Sequence, residues 1–336
     1  MRRSEALAAF AAIAAPLLVG GCARTHAAGG RGIGLVVGNG GFGDHSFNDG
    51  ARRGVELAQR DLGFRSMAIA SASVADYQPN MMELAGQAFD IVMTVGYDLA
   101  FDLTEVAPRF AHQRFGIVDA SVDLPNVTSI GFRQEQCSFL AGALAGMVTR
   151  SNVLGFLGGI DIDIMREFEV GFHAGARAVN PDVQLLVKYV GDWNDVAGGS
   201  ELAGVMYGSG ADIVYACAGK AGLGAINQVR SRRDAYMIGV DSDQDGIVPG
   251  KILTSAMKRV DIGMLRICQT IAAGRRLPHA VELGLKEGGV ALTDFQYTRD
   301  RVTPAMRRRL DAFTHAIIEG SITVPKTREQ LAMWRA

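Results

Sequence analysis

Polar side chains that follow short apolar runs are the first candidates for chemistry in this 336-residue chain. Asn39, Asp44, Tyr97, Asp98, Asp119, Asp161, Asp192, Lys220, Asp241 and Asp243 all stand in that position. Most are carboxylates, which accept two or more hydrogen bonds and suit ligand hydroxyls. The same residue types also cap helices and close turns, so each taken alone reads either way. Metal chemistry finds no support in the spacing. The four cysteines and six histidines are scattered, with no CxxC pair and no HExxH motif. Cys137, Cys217 and Cys268 sit among apolar or small residues and read as buried thiols. There is no G-x-S-x-G elbow and no Walker A lysine. Gly38-Asn39-Gly40-Gly41-Phe42-Gly43 lacks the G-x-G-x-x-G spacing of a dinucleotide loop, and residues 70–73 offer no acidic partner for a ribose. No enzyme, no metal and no cofactor is therefore expected. Paired aspartates doing glycoside chemistry are the weaker alternative.

These residues must be positioned by the elements between them. Hydrophobic residues make up 48% of the chain and charged residues 21%, with a net charge of −1. That composition excludes a disordered chain and gives no basic field for nucleic acid. Strand-like runs at 32–37, 66–70, 91–95, 114–118 and 127–131 alternate with helical periodicity near 48–62, 81–88, 99–110 and 134–149. The pattern then restarts, with strands at 153–157, 183–189, 213–216, 236–240 and 252–256. Helices at 167–179, 196–207, 222–230 and 261–273 lie between and after them, and 303–319 is a last long helix. Alternation of this kind predicts an α/β fold with mainly parallel sheets, in two units. A cleft between such units, beyond the carboxyl ends of the strands, suits a small ligand.

The first residues read differently. Met1-Arg2-Arg3 is basic, residues 8–19 are apolar and alanine-rich, and Leu18-Val19-Gly20-Gly21-Cys22 comes next. The apolar stretch is short for a membrane span and fits an export signal over 1–21. Cys22, directly after two glycines, resembles the lipobox cysteine of bacterial lipoproteins. Lipid on Cys22 would hold an exported domain at a membrane, with 22–31 as a tether. A plain secretory signal with an incidental cysteine is the alternative.

Several blocks together resemble the basic membrane protein family, the lipid-anchored substrate-binding proteins of ABC importers. The run Gly41-Phe42-Gly43-Asp44-His45-Ser46-Phe47-Asn48 is similar to the family's G-G-x-x-D-K-S-F-N signature. Ile91–Tyr97, Phe115–Asp119, Phe139–Gly142, Gly155–Gly159, Phe168–Gly175, Gly239–Gln244 and Leu253–Lys258 occur in the family's order. The resemblance implies a type I periplasmic-binding-protein-like fold: two doubly wound parallel-sheet domains around a central cleft. It places 32–131 in the first domain, with a return segment at about 253–283. It places 132–252 in the second, with about 284–322. Residues 323–336 are then a peripheral tail. It further implies an ABC permease as partner and a nucleoside or nucleoside-like ligand, with no nucleic acid bound. A ligand sensor for signalling is the nearest rival, because the same fold serves that purpose too.

The resemblance also implies roles. Phe47 matches an aromatic that stacks on a base, Asp241 a carboxylate for ribose hydroxyls, Lys258 a lysine of the ribose site, and Asp119 a cleft aspartate. Each has a plainer reading: Phe47 as a core residue, Lys258 as a surface lysine, the aspartates as turn residues. Asp243 competes with Asp241, and Asp44 and Asn48 are expected to shape the first loop. Two departures matter. Where the family's first strand ends in Thr-Asp, with the aspartate on the base, this chain has Val37-Gly38, leaving Asn39 as the nearest polar substitute. In place of a glycine-rich turn it has Ala218-Gly219-Lys220-Ala221-Gly222, with a lysine at a helix start. A ribose-like portion is thus better supported than any particular base.

Overall fold

The computed structural model describes residues 30–335. The export signal expected over 1–21 and the lipidation expected at Cys22 lie outside them. Each half of the chain supplies most of one sheet, and helices pack on the sheet faces.

In the first lobe the order is β1 (Gly32–Val37), α1 (Phe47–Leu62), β2 (Arg65–Ala70), α2 (Tyr77–Gly86), β3 (Ile91–Val95), α3 (Ala100–Val106), β4 (Phe115–Val118) and β5 (Val127–Phe132). In the second it is α4 (Gln134–Val148), β6 (Val153–Gly158), α5 (Asp163–Val179), β7 (Gln184–Tyr189), α6 (Val196–Gly208), β8 (Ile213–Cys217), α7 (Gly222–Arg230), β9 (Tyr236–Asp241) and β10 (Ile252–Lys258). Then come α8 (Val260–Ala272), β11 (Ala280–Leu283), β12 (Val290–Leu292), α9 (Pro304–Glu319) and α10 (Arg328–Met333). The sheets have the orders β2-β1-β3-β4-β5-β11 and β7-β6-β8-β9-β10-β12. Every pairing is parallel except β10 with β12. The central strands are unbroken apolar runs because both faces are covered: β1, β3 and β4 are buried at every residue. The edge strand β2 alternates between exposed and half-buried positions instead.

Close backbone packing explains two sequence blocks. A β-carbon at Gly142 of α4 would collide with the Phe172 carbonyl, and one at Gly175 of α5 with the Phe139 carbonyl. The glycines of Phe139–Gly142 and Gly171–Gly175 thus let α4 and α5 meet backbone to backbone, since no side chain keeps them apart.

The domain boundaries need correction. Residues 252–258 do not return to the first lobe; β10 pairs with β9 in the second sheet. The return starts at α8, which packs on α1, and ends with β11 beside β5. Strand β11 is too short and too exposed to show a period in the sequence; only Leu283 is buried. Residues 284–289 then carry the chain back to β12 and are a crossing between lobes. The tail is not peripheral either. Arg328 donates two hydrogen bonds to Glu169 of α5, at 2.8 and 2.6 Å, and Trp334 packs edge-on to Phe139 at 5.8 Å. No described helix is long and apolar enough to cross a membrane.

Candidate functional site

In both sheets the strand order reverses direction beside the first strand of the lobe, between β1 and β3 and between β6 and β8. Loops diverge there at the carboxyl ends of the strands and leave a crevice. A cavity of about 810 Å³, solvent mouth included, lies at these ends, walled by both lobes. The first lobe contributes Gly38 and Asn39 after β1, Phe47 and Asn48 at the head of α1, Gly96–Asp98 after β3, and Asp119 after β4. The second contributes Met165 and Phe168 from α5, Trp193 after β7, Cys217 ending β8, Lys220 after it, Asp241 ending β9 and Lys258 ending β10.

The loop before α1 is held by its own carboxylates. Asp44 accepts from the backbone N–H groups of Ser46, Asn48 and Asp49 at 2.9, 2.8 and 3.1 Å. Burial pushes its pKa up, and those N–H groups oppose the rise. The Asn48 side chain donates to the Gly41 carbonyl at 2.8 Å. Asp44 and Asn48 therefore shape the loop, as expected, and also line the cavity. The loop is tied across the cleft. Ser46 Oγ donates to Asp241 Oδ2 at 2.5 Å, and Ser242 Oγ donates to the Ser46 carbonyl at 2.8 Å. Gln244 Nε2 donates to the His45 carbonyl at 3.1 Å.

Three ionisable groups form the buried end. Lys258 donates to Asp119 Oδ2, and the two side chains are only 2% and 9% exposed. The ammonium also lies 5.2 Å from the ring centre of Phe47, and 5.5 Å from those of Phe132 and Phe168. Three π faces around a desolvated cation add to the ion pair. Asp119 Oδ1 is buried with no hydrogen-bond partner among the described residues. Asp241 is buried, and burial raises its pKa to about 6 against the pull of Lys258 and the Ser46 hydrogen bond. Both aspartates stand in the left-handed region, with φ of 68° and 61°. That conformation costs energy for a non-glycine residue and turns both side chains out of their strands.

Of the residues singled out in the sequence, Asn39, Asp44, Phe47, Asn48, Asp119, Lys220, Asp241 and Lys258 all line the cavity. Asp243 does not. Two residues past the strand end, it is exposed and accepts from the Asp245 N–H at 3.0 Å as a turn residue. Lys258 is no surface lysine, since the strand carries it inward. Asp161 and Asp192 take the plain reading: one pairs with Arg166 at 2.8 Å, the other accepts from the Asn194 N–H at 2.7 Å. Trp193 is, with Met165 and Phe168 of α5, a cavity residue the sequence reading missed. The only signal for Trp193 was its place after β7, beside a turn aspartate. Cys137, Cys217 and Cys268 are free and buried.

Residues 33–328 match the family described as ABC transporter substrate-binding protein, PnrA-like. The chain belongs to this family. Among its relatives, a CD4+ T-cell-stimulating antigen of Listeria monocytogenes is 32% identical over 319 residues, covering 88% of each chain. The ABC transporter nucleoside-binding protein BmpA of Lactococcus lactis is 31% identical over 344 residues, covering 94% of this chain and 96% of its own. Among solved structures, a solute-binding protein of an ABC transporter system from Aeropyrum pernix aligns with a TM-score of 0.80 at 26% identity, over 90% of this chain and 96% of that one. The basic membrane proteins of the Borrelia group are similar as well; basic membrane protein A of Borreliella burgdorferi is 29% identical over 88% of each chain. The two-lobed fold with a cleft between parallel sheets is thus the fold of ABC solute-binding proteins, and the chain is a substrate-binding protein of that transporter family.

Proposed function

We propose that this substrate-binding protein captures a nucleoside or nucleoside-like ligand outside the cytoplasm and delivers it to an ABC permease, held at the membrane by lipid on Cys22. The observation that carries the ligand class is Asp119 Oδ1, a buried acceptor that has no partner among the described residues, on a side chain that lines the cavity. A buried unpaired acceptor is costly, and a ligand hydroxyl satisfies it. Asp241 adds a second acceptor at the same end, with Lys258 as donor and counter-charge. Adjacent hydroxyls of a ribose suit two carboxylates around one ammonium. Phe47, Phe168 and Trp193 supply aromatic surface for a flat base. Nothing in this set is arranged as a nucleophile with its base, so the reading is capture and release rather than chemistry.

The test is calorimetry of full-length protein in detergent with ribonucleosides, deoxyribonucleosides and free bases. Ribonucleosides should bind tightest, and Asp241→Ala should cost about 2–5 kcal/mol, as expected when one partner of a buried charged hydrogen bond is removed. Free bases binding as tightly as nucleosides, with Asp241→Ala silent, would overturn the reading. For the anchor, a fatty-acid analogue should label wild type and not Cys22→Ser; equal labelling would remove the anchor from the proposal.

A further inference from the structure

Two glycines at the ends of neighbouring strands make room for one carboxylate. A β-carbon at Gly38, just past β1, would lie 3.0 Å from Asp98 Oδ2 and 3.0 Å from the Tyr77 hydroxyl. A β-carbon at Gly96, just past β3, would lie 2.5 Å from Asp98 Oδ1. The Asp98 carboxylate therefore folds back over both strand ends, into the space that side chains at 38 and 96 would take. Gly96 has φ of 121°, which favours glycine, whereas Gly38 lies outside the left-handed region. At position 38 the obstacle to a side chain is thus Asp98 and Tyr77 rather than the backbone.

Asp98 is also held. The Tyr77 hydroxyl donates to its Oδ2 at 2.5 Å and in turn accepts from the Asn39 backbone N–H at 3.2 Å. Tyr77 is fully buried, and burial together with the Asp98 carboxylate pushes its pKa well up, so it stays a neutral donor. That chain fixes one oxygen and leaves Oδ1 with no hydrogen-bond partner among the described residues. Asp98 lines the cavity at the β1/β3 switch point, one strand over from β4, whose end carries Asp119.

We propose that Asp98, oriented by Tyr77, reads the base of the ligand by accepting from a ring or exocyclic N–H, and that Gly38 is its partner in specificity because it vacates that space. The inference rests on the nucleoside reading of the same cavity. The sugar, taken by Asp119, Lys258 and Asp241 at the ends of β4, β9 and β10, leaves the base directed toward β3 and β1. The function that the family pattern gives to the residue ending the first strand is thus carried here from the end of β3. An ionised carboxylate only accepts, so the preferred ligands carry an N–H at the edge they present.

The experiment uses calorimetry on full-length protein in detergent, with adenosine, guanosine, inosine, cytidine and uridine. The tightest of the five is then compared with its analogue methylated at the donor nitrogen, such as N6,N6-dimethyladenosine or 1-methylguanosine. Wild type should lose about 10- to 100-fold on methylation, as for a hydrogen bond to a charged acceptor. Asp98→Ala should lose a similar factor on the parent nucleoside and show little further loss on the methylated one. Gly38→Asp alone should weaken binding through collision with Asp98 and Tyr77. Gly38→Asp combined with Asp98→Ala should bind the parent more tightly than Asp98→Ala. If wild type binds none of the five, the nucleoside reading itself falls. If it binds them and Asp98→Ala discriminates against methylation as wild type does, only the assignment of Asp98 falls. A double variant no tighter than Asp98→Ala overturns the claim that the two positions address one space.

Discussion

The two ends of the cavity are built on opposite plans. At the buried end, Lys258, Asp119 and Asp241 lie out of water, with Lys258 paired to Asp119 and Ser46 bonded to Asp241. At the open end, Tyr97 and Asp98 are exposed, Lys220 is half-exposed, and Tyr77 alone steadies the reading group. Charges at the buried end are coupled to folding as well as to binding, because removing one leaves another uncompensated in low dielectric. Charges at the open end are screened and can change without loss of the fold. The part of a ligand common to many substrates belongs at the first end, and the part that varies belongs at the second.

The largest effect should come from breaking the buried end. Lys258→Met leaves Asp119 without its counter-charge and Asp241 without the cation that opposes its protonation. Loss of one partner from a buried pair costs about 3–5 kcal/mol, and denaturant unfolding should show it. Ligand affinity should collapse in the same variant. Lys220→Met, at the open end, should change stability by less than about 0.5 kcal/mol. Equal losses in the two variants would erase the contrast between the ends.

A second test uses pH to separate binding from stability at Asp241. Its folded pKa, about 6, is raised above the ordinary 3.8 by burial. The folded state therefore holds a proton that the unfolded chain releases between those values. The stabilisation is fully present below about 3.8 and is lost as pH rises through about 6. Binding runs the other way, because the ligand hydroxyls need the ionised acceptor. Affinity should fall by about tenfold per pH unit below 6, and Asp241→Asn should flatten that slope. Asp245, also raised to about 6, and Glu135, raised to about 7, add to the stability profile. Asp245 and Glu135 lie outside the cavity lining, so the difference between wild type and Asp241→Asn isolates Asp241. An affinity that is flat from pH 7 to pH 5 would place the ligand away from this carboxylate.

The same division governs how much was legible in the sequence. The alternation of strands and helices revealed both sheets, because fully covered strands must be apolar along their whole length. Lys258 came only from the family resemblance. The strand-end rule found Asp119 and Asp241, since parallel strands deliver the residues at their carboxyl ends to the cleft. It could not separate Asp241 from Asp243, because two residues of drift past a strand end decide between cavity and solvent, and that depends on φ. It could not rank Asp98, whose position depends on two glycines 58 residues apart meeting across neighbouring strands. Trp193 reaches the cavity from a loop with no period to read. Strand β10 was placed in the wrong lobe because a parallel strand carries no local mark of its neighbours.

Among the variants expected to weaken binding, the smallest effect should come from Phe47, which lines the cavity beside Lys258. Its ring lines the cavity and faces the Lys258 ammonium at 5.2 Å. Phe47→Ala removes a stacking surface worth about 1–3 kcal/mol per base. It also removes one of three rings around the cation, a contribution of about 0.5–2 kcal/mol that would appear in stability rather than in binding. Phe47→Leu keeps the apolar bulk at the head of α1 while losing the π face, so it should keep most of the stability and still lose affinity. The decisive measurement is calorimetry of Phe47→Leu with matched ribo- and deoxyribonucleosides. If the ring serves the base, both ligands weaken by the same factor, whereas Asp241→Ala should weaken the ribonucleoside more. If the loss in Phe47→Leu depends instead on the sugar hydroxyl, the ring acts through Lys258. Phe47 would then belong wholly to the buried end, and the open end alone would hold the base.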